Sequence, residues 1–382
     1  MLRLLALAAC TLSSIDARLD QPLVGVGEIS EDEVGVRGNG ARNAYFVMIG
    51  PMDTQRKYGR WLFSALAIAN ALSRLGSEAD FVLLLARYRE RQHATVRLLA
   101  SETQMLSRVG ARWRYLSAPG ERRIPGFHLG NYKLAVWQHT EYHFVQLLDA
   151  DVLPIRSMDP LFRLPSMVSS SAISCPGRIA PLNAGWIALV PSRDHYEALV
   201  ALLDRYQTEP NDALPWGREL DGWYNSDGKV QPPGWDFFDA QGNQGHLYSY
   251  FRFDARSLAI LFHALHLDYR LTRYDRINQG RTKGTPLPPP NDVATLLSNA
   301  FPCPFSARGR GVVHAYLHFT GQRKPWTKFS PDNARDVHWY HALLAHGNAS
   351  AMLGALFPGE DPHHMLASLK EATRRLKHRR RR

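Results

Sequence analysis

Short apolar runs alternate with longer amphipathic stretches over the first part of the chain, after a polar N-terminal segment. The runs have the length of buried strands, and the stretches have the length and spacing of helices. Buried strands that alternate with helices are typical of a parallel, doubly wound sheet. The pattern therefore predicts an α/β fold, with a mostly parallel sheet flanked by helices. The predicted strands are 44–49, 81–86 and 112–116, and the predicted helices are 61–75 and 91–109.

A fourth apolar run, 143–148, follows a helical stretch over 133–140 and ends directly in Asp149-Ala150-Asp151. Ligands of open α/β sheets bind beyond the carboxyl ends of the strands. Alternate residues of an extended segment point the same way, so Asp149 and Asp151 can present two carboxylates to one cation. Such oxygen ligands suit Mg²⁺ or Mn²⁺, which neutralise diphosphates. A solvated turn at the strand end is the alternative interpretation.

The rest of the chain divides by composition. Residues 205–242 and 281–292 are rich in Pro, Gly, Asn or Asp and predict long loops, which in compact domains are usually functional or disordered. From about 331 onward the pattern becomes helical again. The predicted organisation is a signal peptide over 1–17, a linker over 18–42, a sheet domain over 43–330, a helical C-terminal extension over 331–376 and a basic tail over 377–382.

The N-terminal segment has the layout of a secretory signal peptide. Arg3 precedes an apolar run over 4–10, and small residues follow up to Ala17. This predicts a protein of the secretory pathway, in the lumen of the Golgi or endoplasmic reticulum or secreted. A cytosolic N-terminus is the alternative. Cys175 and Cys303 would remain after cleavage, either as one disulfide or as two buried thiols.

Composition bears on order and on charge. With 45% hydrophobic and 10% aromatic residues, most of the chain is expected to fold, and a largely disordered protein is excluded. Lys and Arg outnumber Asp and Glu by 46 to 35, a formal net charge of +11 that favours anionic partners. Part of the excess lies in 377–382, which predicts a solvated tail. We expect no nucleic-acid partner, whereas association of the tail with a membrane surface stays open.

Four segments occur in order within 44–328. They are Lys133 to Tyr142 followed by Asp149-Ala150-Asp151, then Leu182-Asn183-Ala184-Gly185, then Gly242-Asn243-Gln244-Gly245, and His318-Phe319-Thr320-Gly321-Gln322-Arg323-Lys324-Pro325-Trp326. They resemble the K-L-x-x-W with D-A-D, F-N-S-G, G-D-Q-G and H-F-x-G-x-x-K-P-W motifs of glycosyltransferase family 8, the glycogenin-like retaining enzymes. The resemblance implies a nucleotide-sugar-binding fold of the GT-A type over 43–330.

The resemblance also implies a role for each matched residue. Mn²⁺, or Mg²⁺, would be held by Asp149, Asp151 and His318, a donor set that by itself suits Mn²⁺. Lys324 would lie against the diphosphate of a UDP-sugar and stabilise the leaving group during catalysis. The remaining implied residues are Lys133, Asn183, Gly185 and Gly321 for donor binding, and Asn243 and Gln244 for orienting the substrate in catalysis.

The activity implied is transfer of a hexose or hexuronic acid from a UDP-sugar to a glycan, glycolipid or inositol-type acceptor, with retention at the anomeric carbon. Asn243 stands where the family usually has Asp, and an amide cannot act as a general base. This favours front-face attack, with the leaving phosphate accepting the proton. It also leaves open a secreted glycan-binding or scaffold protein with a disabled site. Self-glucosylation as in glycogenin is not expected, because no tyrosine occurs between Tyr274 and Tyr316.

Overall fold

The computed structural model describes most of the region that the sequence predicts to fold. Of the predictions above, the signal peptide, nearly all of the linker, the loop over 281–292, Cys303 and Gly321 lie outside the described residues. The described residues are 42–87, 96–116, 129–177, 180–208, 223–224, 230–240, 242–262, 270–273, 315–319 and 323–381.

Twelve strands occur in the described part of the chain, and eight of them form one central sheet. The strands are β1 (Asn43–Met52), β2 (Asp80–Arg87), β3 (Arg112–Leu116), β4 (Phe144–Asp149), β5 (Val152–Pro154), β6 (Ala172–Cys175), β7 (Asn183–Leu189), β8 (Trp223–Tyr224), β9 (Val230–Gln231), β10 (Leu258–Phe262), β11 (Arg270–Arg273) and β12 (Tyr316–His318). The sheet order is β11-β10-β6-β7-β4-β1-β2-β3.

Most neighbouring strands of this sheet are parallel. The chain runs parallel between β1 and both β2 and β4, between β2 and β3, and between β6 and β10. Strand β7 is antiparallel to both of its neighbours, and β11 is antiparallel to β10. The predicted α/β class with a mostly parallel sheet is confirmed.

Helices cover both faces of the sheet. Alternate residues of β1 belong to two separate cores, because Tyr45 and Val47 pack with α1 while Ala44 and Phe46 pack with the 3₁₀ helix Leu129–Gln138 and with α4. The α-helices are α1 (Gly59–Arg74), α2 (Ala100–Arg108), α3 (Leu164–Met167), α4 (Arg193–Thr208), α5 (Asn243–Ser249), α6 (Ala334–Leu343), α7 (Ala349–Leu356) and α8 (Pro362–Arg381).

Two predicted helices differ from the observed ones. Residues 96–99 of the stretch predicted as one helix over 91–109 are not helical, and α2 begins only at Ala100. The reason is the carboxylate of Glu102, which accepts a hydrogen bond from the Leu99 amide (2.8 Å) and fixes the start of the helix there. The stretch predicted over 133–140 is helical but of the tighter 3₁₀ type, and it starts earlier, at Leu129.

The C-terminal helices pack on the sheet domain through α1. Asn70 of α1 donates hydrogen bonds to the carbonyl oxygens of Ala342 (3.0 Å) and Leu343 (3.2 Å) at the end of α6. Trp339 of α6 donates from Nε1 to the hydroxyl of Ser64 (3.2 Å). Helix α8 continues through Arg381, so the basic residues that the sequence predicts as a solvated tail extend a helix.

None of the helices in the described ranges combines the length and the hydropathy that crossing a membrane requires.

Candidate active site

Two carboxylates and one imidazole meet at the carboxyl end of β4. Asp149 is the last residue of that strand. Strand β5 follows at once and pairs antiparallel with β12, with Val152 opposite His318. This pairing brings His318 Nε2 to 3.2 Å from Asp151 Oδ1. Ligand atoms of Asp149, Asp151 and His318, here called the metal triad, all lie within 4.8 Å of one another.

The metal triad fits a divalent cation by its chemistry and by its surroundings. Two carboxylates and an imidazole are suitable ligands for Mn²⁺, and the carboxylates also suit Mg²⁺. The ring of His318 lies directly on the backbone of β7, because Gly185 has no side chain there. A Cβ at Gly185 would collide with His318 Cε1 and lie 3.0 Å from His318 Nε2. This glycine therefore makes room for the imidazole of His318.

Two lysines pair with the carboxylates of the metal triad. Lys133, from the 3₁₀ helix, pairs with Asp149, and it also reaches the carbonyl oxygen of Ala184 at 3.4 Å. Lys324 pairs with Asp151 and donates to the carbonyl oxygen of Phe319 at 2.5 Å. The two ammonium groups offset the two carboxylates, so a bound divalent cation would make the site positive. A positive site of this kind is suited to an anionic diphosphate.

Asp151 stays ionised although it is buried. Burial alone would raise the pKa of its carboxyl group. The hydrogen bond with His318 and the nearby charges of His318 and Lys324 outweigh burial and hold the pKa of Asp151 below its ordinary value. The carboxylate is therefore in the charged form that metal binding requires.

The metal triad opens into a cleft of about 500 Å³. Eight of the residues predicted for the site line it, Lys324 reaches it through Asp151, and Gly321 lies outside the described residues. Gly177, Ala180, Ala184, Phe238 and Asp239 also line it and were not predicted. The predicted residues in the lining are Lys133, Asp149, Asp151, Asn183, Gly185, Asn243, Gln244 and His318.

The residues predicted to orient the substrate, and Asn183, predicted for donor binding, differ in their hydrogen bonds. Gln244 accepts a hydrogen bond from the Ala184 amide (3.1 Å) and donates one to the carbonyl oxygen of Phe238 (3.3 Å), so its side chain ties two walls of the cleft together. Asn183 Oδ1 accepts from the Gly185 amide at 2.8 Å. Asn243 is only 7% exposed, and its Nδ2 has no hydrogen-bond partner among the described residues. The unpartnered nitrogen is enclosed by protein and does not face the open cleft.

Phe238 and Asp239 are two of the five lining residues that sequence reasoning missed. Phe238 is 65% exposed, which is unusual for a large aromatic side chain. Asp239 has a positive φ of 61°, a conformation that Asp tolerates better than most residues. Neither belongs to a motif, and the Pro- and Gly-rich composition around them indicated only a loop. A turn that faces a cleft leaves no periodic signal in the sequence.

Comparison with known proteins gives one sequence relative and several solved structures that align at low identity. No family model matches the chain. A protein of Arabidopsis thaliana, whose name gives it provisionally as UDP-glucuronate:xylan alpha-glucuronosyltransferase 3, is 28% identical over 144 residues, which are 37% of this chain and 21% of the relative. The chain therefore matches about a fifth of that relative's length.

Two solved glycosyltransferase structures align with this chain at low identity. The glycosyltransferase GlyE of Streptococcus pneumoniae TIGR4 aligns with a TM-score of 0.43 and 16% identity, over 82% of this chain and 62% of that one. The galactosyltransferase LgtC, in complex with donor and acceptor sugar analogs, aligns with a TM-score of 0.45 and 12% identity, over 82% of this chain and 100% of that one.

Proposed function

We propose that this chain is a metal-dependent glycosyltransferase of the GT-A type, a member of glycosyltransferase family 8, which transfers a sugar from a UDP-sugar. The observation that carries the proposal is the metal triad with its two lysines in one cleft. These five residues come from two of the four motifs that resemble the family, and the cleft joins them to residues of the other two. If the motifs resembled the family only by chance, there would be no reason for their side chains to lie together in one cleft.

The residues of the site have complementary tasks in this reaction. Asp149, Asp151 and His318 would hold the cation, preferably Mn²⁺, which when bound neutralises charge on the departing UDP. Lys324 stands beside Asp151, where its ammonium group stabilises the same charge as it develops in an oxocarbenium-like transition state. Asn243 lines the cleft, and its amide cannot take a proton. This supports front-face attack with retention, the leaving phosphate accepting the proton of the acceptor.

The proposed donor is a UDP-hexose or UDP-hexuronic acid, and the proposed acceptor is a glycan, glycolipid or inositol-type compound. The secretory pathway, with the Golgi or endoplasmic reticulum lumen or secretion, is the proposed location, and it depends on the N-terminal signal pattern. The name of the Arabidopsis relative includes UDP-glucuronate and xylan, which is compatible with a hexuronate donor and a glycan acceptor.

One observation favours a second candidate, a glycan-binding or scaffold protein with the same fold and a disabled site. Asn243 has no carboxylate where the family motif usually has one. Such a protein would bind UDP or a glycan without cleaving a UDP-sugar, so turnover separates the two candidates.

The decisive experiment is hydrolysis of a panel of UDP-sugars by the full chain with and without Mn²⁺. We expect release of UDP from at least one donor, dependent on Mn²⁺, and loss of that activity in the double variant Asp149→Ala, Asp151→Ala. The matched control is Asp332→Ala, Glu360→Ala, which removes two exposed carboxylates away from the cleft and should keep activity. Binding of UDP and Mn²⁺ without any turnover would support the second candidate. Absence of UDP binding would contradict the proposed transferase.

A further inference from the structure

The C-terminal extension contacts one of the residues of the metal triad. Helix α6 begins at Ala334, and Arg335 in its first turn donates a hydrogen bond from its guanidinium to the carbonyl oxygen of His318 (2.5 Å). The same guanidinium lies over the ring of Phe319, with 5.3 Å between its central carbon and the ring centroid. Arg335 therefore binds both the triad histidine and the residue that follows it.

The strand that carries this histidine has little other support from the sheet. In the described part of the chain, β12 is three residues long and forms a separate two-stranded sheet with β5. On the β5 side, the Phe319 amide donates to the carbonyl oxygen of Asp151 (2.9 Å). Two strands alone make a marginally stable sheet. The contact of Arg335 with the His318 carbonyl oxygen is therefore a substantial part of what holds the end of β12.

Helix α6 has a fixed position relative to the two carboxylates of the metal triad. Trp339 lies four residues after Arg335, on the same face of the helix. Trp339 donates to the hydroxyl of Ser64, and this hydroxyl donates to the carbonyl oxygen of Ala150 (2.5 Å), between the two aspartates. The start of the helix is also fixed, because Asn333 Oδ1 accepts from the Arg335 amide (3.0 Å). One face of α6 thus connects the turn at Ala150 with the end of β12.

We propose that Arg335 is a positioning residue of the metal site. Its hydrogen bond to the carbonyl oxygen of His318 holds the imidazole at the distance from Asp149 and Asp151 that binding of one divalent cation requires. Arg335 is exposed and lies outside the cleft lining, so it acts through His318. This inference rests on the proposed function and adds the C-terminal extension to the parts of the chain that metal binding needs.

The charge of Arg335 and its hydrogen bond affect metal affinity in opposite directions. A guanidinium near the metal triad repels a divalent cation, so loss of the charge alone would strengthen binding of Mn²⁺. Loss of the hydrogen bond allows His318 to shift and would weaken binding of Mn²⁺. The sign of the change therefore distinguishes a positioning residue from a surface charge.

The test is titration calorimetry of Mn²⁺ with the full chain, in the native form and as Arg335→Ala and Arg335→Lys. Arg335→Ala should bind Mn²⁺ about 10-fold more weakly, as when groups that orient metal ligands are altered. Arg335→Lys keeps the charge and an N–H donor and should bind more tightly than Arg335→Ala. At saturation, the electron paramagnetic resonance spectrum of bound Mn²⁺ should differ between Arg335→Ala and the native chain, because the spectrum depends on the arrangement of the ligands.

Arg74→Ala is the matched control. Arg74 is also an exposed arginine that donates to a backbone carbonyl oxygen of α6, that of His341 (3.4 Å), near the opposite end of the helix. Arg74→Ala should change neither the affinity for Mn²⁺ nor the spectrum. The midpoints of urea denaturation should stay close to the native value in Arg74→Ala and Arg335→Ala, because substitutions of exposed residues change stability little.

Three results would overturn the inference. They are unchanged or tighter binding of Mn²⁺ by Arg335→Ala, equal weakening in Arg74→Ala, and binding by Arg335→Lys as weak as by Arg335→Ala. If the native chain binds Mn²⁺ and the double variant Asp149→Ala, Asp151→Ala does not, any of these results rejects this inference and keeps the proposed metal site. Absence of Mn²⁺ binding by the native chain would reject the proposed metal-dependent transferase together with this inference.

Discussion

Two regions bring distant parts of the chain together, the contact of α1 with α6 and the carboxyl end of β4. Their buried polar groups have different kinds of partner. Between α1 and α6 the partners are neutral: Asn70 donates to backbone carbonyl oxygens and Trp339 donates to Ser64, all within an apolar core. At the carboxyl end of β4 the partners are charged, and Lys133 and Lys324 pair with the carboxylates of the metal triad.

The difference separates groups that stabilise the fold from groups that can change partners. Neutral hydrogen bonds inside an apolar core add to the packing around them. Charged pairs at the surface of a cleft contribute little net stability, because the cost of removing water from the charges offsets their attraction. In the proposed reaction the same charges would gain new partners, a cation and a diphosphate. We therefore expect substitutions in the first region to change stability and substitutions in the second to change binding.

The largest expected effect is a loss of stability when the contact between α1 and α6 is disrupted. Trp339 is 1% exposed and its ring centroid lies 5.5 Å from that of Trp326. Trp339→Ala should lower the free energy of unfolding by about 3–5 kcal/mol, since it leaves a cavity in the core. Urea denaturation followed by tryptophan fluorescence measures this. The exposed Phe238 is the control, and Phe238→Ala should cost less than about 0.5 kcal/mol. Similar losses in both variants would contradict the assignment.

The next effect concerns the cleft. In Gly185→Ala the new methyl group would displace His318, and affinity for Mn²⁺ should fall by about 10- to 100-fold, as when groups that orient metal ligands are altered. Stability should change little in comparison with Trp339→Ala. Titration calorimetry with Mn²⁺ measures the affinity.

Gly59→Ala is the matched control for this substitution. A Cβ at Gly59 would meet no atom within 4 Å, so metal affinity should be unchanged. If Gly185→Ala bound Mn²⁺ as tightly as Gly59→Ala, His318 would not be a ligand held by β7.

The smallest expected effect is on the pH dependence of stability, and it concerns a neutral histidine buried beneath the cleft. His246 lies on α5, donates from Nε2 to the carbonyl oxygen of Leu199 (2.9 Å) and has its pKa lowered by burial to about 4. Below pH 6.5 the unfolded chain binds a proton at this histidine that the folded chain does not bind, so stability falls as the pH decreases toward 4. His246→Gln keeps an N–H donor. Between pH 7 and pH 5 its free energy of unfolding should fall by about 2 kcal/mol less than that of the native chain.

Urea denaturation of both proteins at pH 7, 6 and 5 measures the difference. The other histidines with lowered pKa values, His139, His195 and His341, are unchanged in the variant, so their contributions cancel in the comparison. Parallel pH profiles for the native chain and His246→Gln would show that His246 is protonated in the folded state.

Part of the fold follows directly from local pattern. The strands at 44–49, 81–86 and 112–116 and the helix at 61–75 were predictable, because buried strands and helices leave periodic apolar signals. The antiparallel direction of β7 was not predictable in this way, since a fully buried strand has the same composition in either direction. The late start of α2 was missed as well, because it depends on the contact of Glu102 with Leu99.

The candidate site also contains residues that local pattern predicts and residues that it does not. Asp149 and Asp151 could be selected from the sequence because they follow a buried strand, and His318 because it begins a recognisable motif. The contact of Gly185 with His318 could not be inferred, because it arises from the packing of β7 against β12. The same holds for Asp239, which lines the cleft from a turn with positive φ.

The amino-acid sequence alone determined the alternation of strands and helices and the types of ligand atom, because both depend on residues close together in the chain. Only the tertiary structure decided which of these atoms meet. Asp151 and Lys324 are 173 positions apart, and they come into contact where β5 pairs with β12. Pairing between strands so distant in sequence depends on the packing of the whole sheet, which no local pattern of residues specifies.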